Sequence, residues 1–205
     1  TEYYTMYEES VRRRLLGTIS LSVINSFLEE HNQYRNSEFN QCIPQFSSML
    51  IQNAYGQGHN NFELPMLLDE EKEPISHVYH YLSGDQNRLI NVTVKSESVV
   101  SYCNYVKFAT IRFSENTGFG CTTYVSDSNI IFEGDAGVHS AEASINCDVY
   151  FYGEIGEGSA ISSKNSRFFS PHKENLEQIS KEPGLQNCSF YLLDENDNPY
   201  EVTLK

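Results

Sequence analysis

Asp135 and Glu154 stand nineteen residues apart at matching positions of two similar segments, Val125 to Ala143 and Ser144 to Ser162. If these segments stack as successive coils, the two carboxylates lie about 5 Å apart, one inter-strand step. That separation suits a retaining glycosidase pair, or a divalent cation held by hard oxygen ligands. It equally describes a solvated acidic wall whose side chains splay apart, the ordinary state of a charge run. The wall is broad: between Arg112 and Lys164 there is no Lys or Arg, while Glu115, Asp127, Glu133, Asp135, Glu142, Asp148, Glu154 and Glu157 all fall there. A second candidate is His77 with His80, near Glu73 and Asp85. On a helix their i, i+3 spacing lets both imidazoles reach one metal, but no third ligand follows at a defined offset.

Other chemistry fails on its signatures. The chain contains no G-x-S-x-G elbow, no G-x-x-x-x-G-K-[ST] loop and no H-E-x-x-H. Gly118-Phe119-Gly120 is not continued as a dinucleotide fingerprint, so no cofactor is expected. Five cysteines at 42, 103, 121, 147 and 188 give neither a disulfide framework nor a C-x-x-C metal signature. They read as free thiols, mostly buried as small hydrophobes.

The elements that position these residues divide the chain in two by period. Residues 1–86 read as helical: Leu15, Ile19, Val23 and Phe27 recur every four positions, reinforced by Leu16, Ile24 and Leu28. A second helix is predicted around Ile43, Phe46, Met49, Leu50 and Ala54, after Pro44 and ending at Gly56. Gln57 to Pro65 reads as a loop. A third helix is predicted from Pro74, because Ile75, Val78, Tyr79 and Leu82 keep the i, i+3, i+4, i+7 spacing.

Over residues 87–170 β-branched and aromatic residues alternate, and the pairs Val92/Val94, Ile111/Phe113, Ile130/Phe132 and Val149/Phe151 recur every 19 residues. A fixed period near 20 means a solenoid, in which one repeat cannot bury its apolar face alone. Stacking makes Ile111, Ile130, Val149 and Phe168 an interior ladder, with Phe113, Phe132 and Phe151 beside it. Gly118, Gly137 and Gly156 mark a corner that a Cβ would obstruct. Asp127, Asn146 and Asn165 form a column of turn residues able to stack. Residues 171–205 then supply a cap: a helix starting at Ser170-Pro171 with Leu176 and Ile179 on one face, and a hairpin of Ser189 to Leu193 with Tyr200 to Leu204. The predicted class is α+β, a helical N-terminal region followed by a short right-handed parallel β-helix with a helix and hairpin cap.

Gly134-Asp135-Ala136-Gly137 and Gly153-Glu154-Ile155-Gly156-Glu157-Gly158, followed by Ser163-Lys164-Asn165-Ser166, resemble the G-x-x-G repeats of glycine-punctuated right-handed β-helices. The C-terminal domain of glutamate synthase, one of the formylmethanofuran dehydrogenase polypeptides and archaeal proteins of unknown function belong to that class. The resemblance runs from Val92 to Phe169, with Glu115 where Gly134 would recur. In the glutamate synthase family the domain is a structural spacer, so the resemblance implies a scaffold role and carries over no site.

With 28 Asp plus Glu against 14 Lys plus Arg in 205 residues, the net charge is −14. That excludes nucleic acid and anionic membrane as partners, since both demand clustered Lys and Arg. Arg12-Arg13-Arg14 is the one basic cluster, a surface charge or a docking point for an acidic partner. No apolar run reaches about 20 residues and no signal-peptide pattern opens the chain, so the expected compartment is the cytoplasm. The function expected is non-enzymatic: an interaction, scaffold or assembly module that binds a protein partner or a second copy of itself. The alternative is a carbohydrate-active enzyme or cation-binding protein that uses Asp135 and Glu154, in a groove with exposed aromatics such as Tyr150 or Tyr152.

Overall fold

The computed structural model describes residue 26 and residues 37–64, 75–95, 97 and 99–204. The expected helix through Leu15 to Phe27 and the Arg12-Arg13-Arg14 cluster lie outside the described residues. Helix α1 (Ser37–Gly56) contains Pro44 and ends at Gly56. Then follow β1 (Asn61–Leu64), β2 (Ile90–Val94), β3 (Ala109–Phe113), β4 (Asn129–Phe132), β5 (Asp148–Phe151), β6 (Arg167–Ser170), α2 (Lys173–Ser180), β7 (Ser189–Leu193) and β8 (Pro199–Glu201).

The strands make one eight-stranded sheet in sequence order. Strands β1 to β7 pair in parallel and only β8 is antiparallel. The chain is thus a β-solenoid of about five turns with a spacing near 19 residues. Its register stacks Val92, Ile111, Ile130, Val149, Phe168 and Phe190 in one column. The neighbouring column runs Val94, Phe113, Phe132, Phe151. Its phenylalanine rings stack at 5.2 Å and are fully buried. Burying such side chains contributes about 1.5–3 kcal/mol each, and only the stack can bury them.

The corner glycines are required by space. A Cβ on Gly137 would meet the carbonyl oxygen of Gly118 at 2.1 Å, and one on Gly156 would meet the nitrogen of Val138 at 2.4 Å. The column Asp127, Asn146, Asn165, Asn187 is a hydrogen-bonded ladder, each Asn Nδ2 donating to the Oδ1 of the coil before at 3.0, 3.3 and 3.2 Å. All four residues have φ between 50° and 54°. Asn and Asp tolerate this left-handed conformation better than other non-glycine residues.

Three expectations are corrected. Gln57 to Pro65 is not simply a loop, because Asn61–Leu64 forms β1 and pairs with β2. Ile75 to Leu82 is not a helix. It is an irregular arc with positive φ at His77, Tyr79 and Tyr81, and it stacks on the next coil through Tyr81 N–H to the Asn104 carbonyl at 3.0 Å. The apolar spacing there records which residues of the arc face the core, where Val78, Tyr79 and Leu82 are buried. Finally, α2 begins at Lys173 with His172 as N-cap and no side-chain cap. Ser170 is instead the buried end of β6, and its Oγ accepts from His172 N–H at 3.1 Å and from Asn175 Nδ2 at 3.2 Å.

Both ends of the core are covered. From α1, Leu50, Ile51, Ala54 and Tyr55 are buried, the Tyr55 hydroxyl donates to the Arg88 carbonyl at 2.5 Å, and Arg88 lies 3.9 Å over the Tyr55 ring. At the other end α2 buries Leu176 and Ile179. Asn175 Nδ2 donates to the Gly153 carbonyl at 2.8 Å and Gln178 Nε2 to the Gly156 carbonyl at 3.2 Å, supplying bonds that a further coil's backbone would otherwise make. Among the described residues no helix is long and apolar enough to cross a membrane.

Candidate functional site

Stacking decides which acidic groups keep their charge unpaired. Bases that bound the acidic window in sequence come back one coil away in space. Arg112 pairs with Glu133, Lys107 with Asp127 at 3.6 Å, and Arg167 with Asp148, to which its Nε donates at 2.6 Å. That bond to Asp148 is the first cause raising the Arg167 pKa. His139 Nδ1 stands 3.3 Å from Glu142. Among the described residues, no Lys, Arg or His lies within ion-pair distance of Glu115, Asp135, Glu154 or Glu157.

Asp135 and Glu154 do occupy one column on successive coils, preceded by Asn116. The Asn116 Oδ1 accepts from Asp135 N–H at 2.8 Å and the Asp135 Oδ1 accepts from Glu154 N–H at 2.8 Å. One Asp135 oxygen is therefore engaged in holding the next coil. Three positions further along is the column Phe119, Val138, Glu157. Phe119 is 55 % exposed and Val138 41 %, both large for apolar side chains, on the same coils as the unpaired acids.

The solenoid also carries a tyrosine row. Tyr81, Tyr105 and Tyr124 stack at 5.0 Å with interplanar angles of 15° and 7°, and all three are exposed at φ 58°. His77 and His80 lie beside this row with ring centroids 5.6 Å apart, edge to face. The Nε2 of His80 is within 2.6 Å of the Ser101 carbonyl, and burial lowers the His80 pKa, opposed by that carbonyl and assisted by His77. Among the described residues no group of three or more His, Cys, Asp or Glu could hold a metal ion.

On the outer face of the sheet lies an open groove of about 540 Å³ lined by Arg112, Ile131, Glu133, Tyr150, Tyr152 and Asp197. Arg112, Ile131 and Tyr150 are register partners on β3, β4 and β5, so they form one outward row across the strands. The row continues as an aromatic stack, Tyr150 on Phe169 at 4.4 Å and Phe169 on Tyr191 at 4.9 Å. Asp197 comes from the β7–β8 turn, a turn closed by the Asp194 Oδ1 accepting from the N–H of Asn196 and of Asn198. Burial first, and then the nearby Asp197 carboxylate, raise the Tyr152 pKa.

The groove contains the aromatic pair expected from sequence, Tyr150 and Tyr152, but its lining acids are Glu133 and Asp197 and not Asp135 or Glu154. Asp197 had no sequence signal, since only the antiparallel return of β8 brings that turn across the end of the sheet. No protein-family model, curated protein or solved structure matches the chain.

Proposed function

We propose that this chain is a non-enzymatic interaction module and that the corner bearing Asp135, Glu154, Phe119 and Val138 receives a basic protein partner. The observation that carries this reading is a column of unpaired carboxylates and, three positions along the same coils, a column with exposed apolar side chains, on backbone held by inter-coil hydrogen bonds. Exposed apolar groups rimmed by charge mark interaction surfaces, and fixed like charges raise the encounter rate of an oppositely charged partner. The resemblance of the glycine repeats to the right-handed β-helix class, whose glutamate synthase member is a spacer, agrees with a non-enzymatic role.

Faces carry the interaction in this reading, and not end-to-end stacking of solenoids. The C-terminal edge ends in antiparallel β8, three exposed residues that include Pro199 and Glu201. Proline lacks a donor and an edge charge resists pairing. Capture from native lysate with wild type and with Asp135→Asn/Glu154→Gln/Phe119→Ser tests the reading. A basic protein retained by wild type and lost from the variant and in high salt is expected.

A further inference from the structure

We propose that the outer-face groove is a binding slot for one pyranose ring of an uncharged oligosaccharide. The slot is a break in the outward aromatic stack. From β7 to β5 that row is Tyr191, Phe169, Tyr150, flat rings one on the next. On β4 the position is held by Ile131, and on β3 by Arg112. Ile131 is shorter than either neighbour, so it forms a floor between two taller walls. The strands carrying Arg112 and Tyr150 are about 9.6 Å apart, and the open groove above Ile131 between these side chains has room for one flat ring in the place a fourth aromatic would take.

The walls state what that ring must be. The Tyr150 face turned away from Phe169 offers an apolar platform, and aromatic faces favour contacts with weakly positive C–H edges. Around the rim stand donors, the Arg112 guanidinium and the Tyr152 hydroxyl, and acceptors, the carboxylates of Glu133 and Asp197. A ligand with one apolar face and a periphery of groups that both donate and accept satisfies them together, and a pyranose ring has that construction. An aromatic side chain would fill the space but offer no group to the Tyr152 hydroxyl, the Asp197 carboxylate or the donors that Arg112 does not spend on Glu133. A phosphate-bearing ligand would face a net charge of −14. Glu133 is held by Arg112, and the proposal is of binding alone.

Glu133 and Tyr152 of the slot lie two residues from Asp135 and Glu154, but the slot shares no residue with the partner corner and the variants below leave that corner's residues in place, so the two readings fail independently. The test is calorimetric and NMR titration of the full chain with cellohexaose, maltohexaose, laminarihexaose and mannohexaose, with N-acetyltryptophanamide as the aromatic competitor. At least one hexasaccharide should bind and shift the signals of Tyr150 and Tyr152. Tyr150→Ala should weaken it about tenfold, the loss of one stacking platform. Ile131→Phe, which completes the aromatic row and removes no contact, should abolish binding while leaving the melting temperature unchanged or raised. Binding by none of the four sugars, binding undiminished in Ile131→Phe, or shifts from the indole alone would overturn the proposal.

Discussion

Replacing Asn146 separates two forces that hold each coil to the next. Its Nδ2 donates to Asp127 at 3.0 Å, its Oδ1 accepts from Asn165 at 3.3 Å, and its backbone sits at φ 54°. Asn146→Gly removes both side-chain hydrogen bonds and relaxes the backbone. Each exposed bond contributes towards the lower end of the usual range, so the loss is about 1 kcal/mol in total. Asn146→Ala removes the same bonds and adds the left-handed penalty of about 1–2 kcal/mol for a residue with a Cβ. Alanine should therefore be the worse by that strain less the roughly 0.4–1 kcal/mol that glycine's freer unfolded chain costs, a net of up to about 1.5 kcal/mol or roughly 6 °C in melting temperature for a chain of this size. Urea denaturation followed by circular dichroism measures both variants, with equal slopes as the sign that compactness is unchanged. An alanine variant more stable than the glycine variant, as at an ordinary negative φ, would refute the positive φ of the column, and with it the stacking of left-handed turns.

Gly137→Ala should cost about 3 kcal/mol or more, because the new methyl meets backbone atoms that no rotamer change can move; a thermal melt within about 2 °C of wild type would refute the tight corner. The His80 pKa is lowered in the folded state, so the unfolded chain binds its proton first. Stability should be full above about pH 6.5, fall as pH drops through the folded pKa, and lose that dependence in His80→Gln. Burial pushes the Cys121 and Cys147 thiols up to about 12. Alkylation at about pH 8 should thus modify the half-buried Cys188 long before them, and fast labelling of Cys121 in native protein would contradict the solenoid interior.

Much of the fold is legible in the sequence because a solenoid writes its core as a period. Ile130 and Phe132 mean little alone, but their recurrence as Val149 and Phe151 names the strand, its register and its buried face at once. The glycine and Asn columns are legible for the same reason. What stays hidden is whatever the period does not repeat or the residue type does not signal. The arcs take left-handed φ at Tyr105, Thr122, Tyr124, Ala141 and Ala160, residue types that give no such warning. Ile75 to Leu82 reads as a helix because its core-facing residues happen to fall at helical intervals. The acidic window looks denser than it is, since Arg112 and Arg167 reach Glu133 and Asp148 across a coil. Asp135 and Glu154 are legible as a column. The groove is not, because it depends on a missing aromatic at Ile131 and on a turn from the C-terminal hairpin.

The most direct test of the interaction role is quantitative mass spectrometry of proteins captured from native lysate by the tagged chain and by the Asp135→Asn/Glu154→Gln/Phe119→Ser variant, at matched melting temperatures. The expected result is one or more basic proteins enriched on wild type, diminished on the variant, and released as salt rises past the range where a Debye length of about 8 Å shields the corner. Equal capture by both forms, or no basic protein above background, would contradict the assignment of this corner as the partner surface.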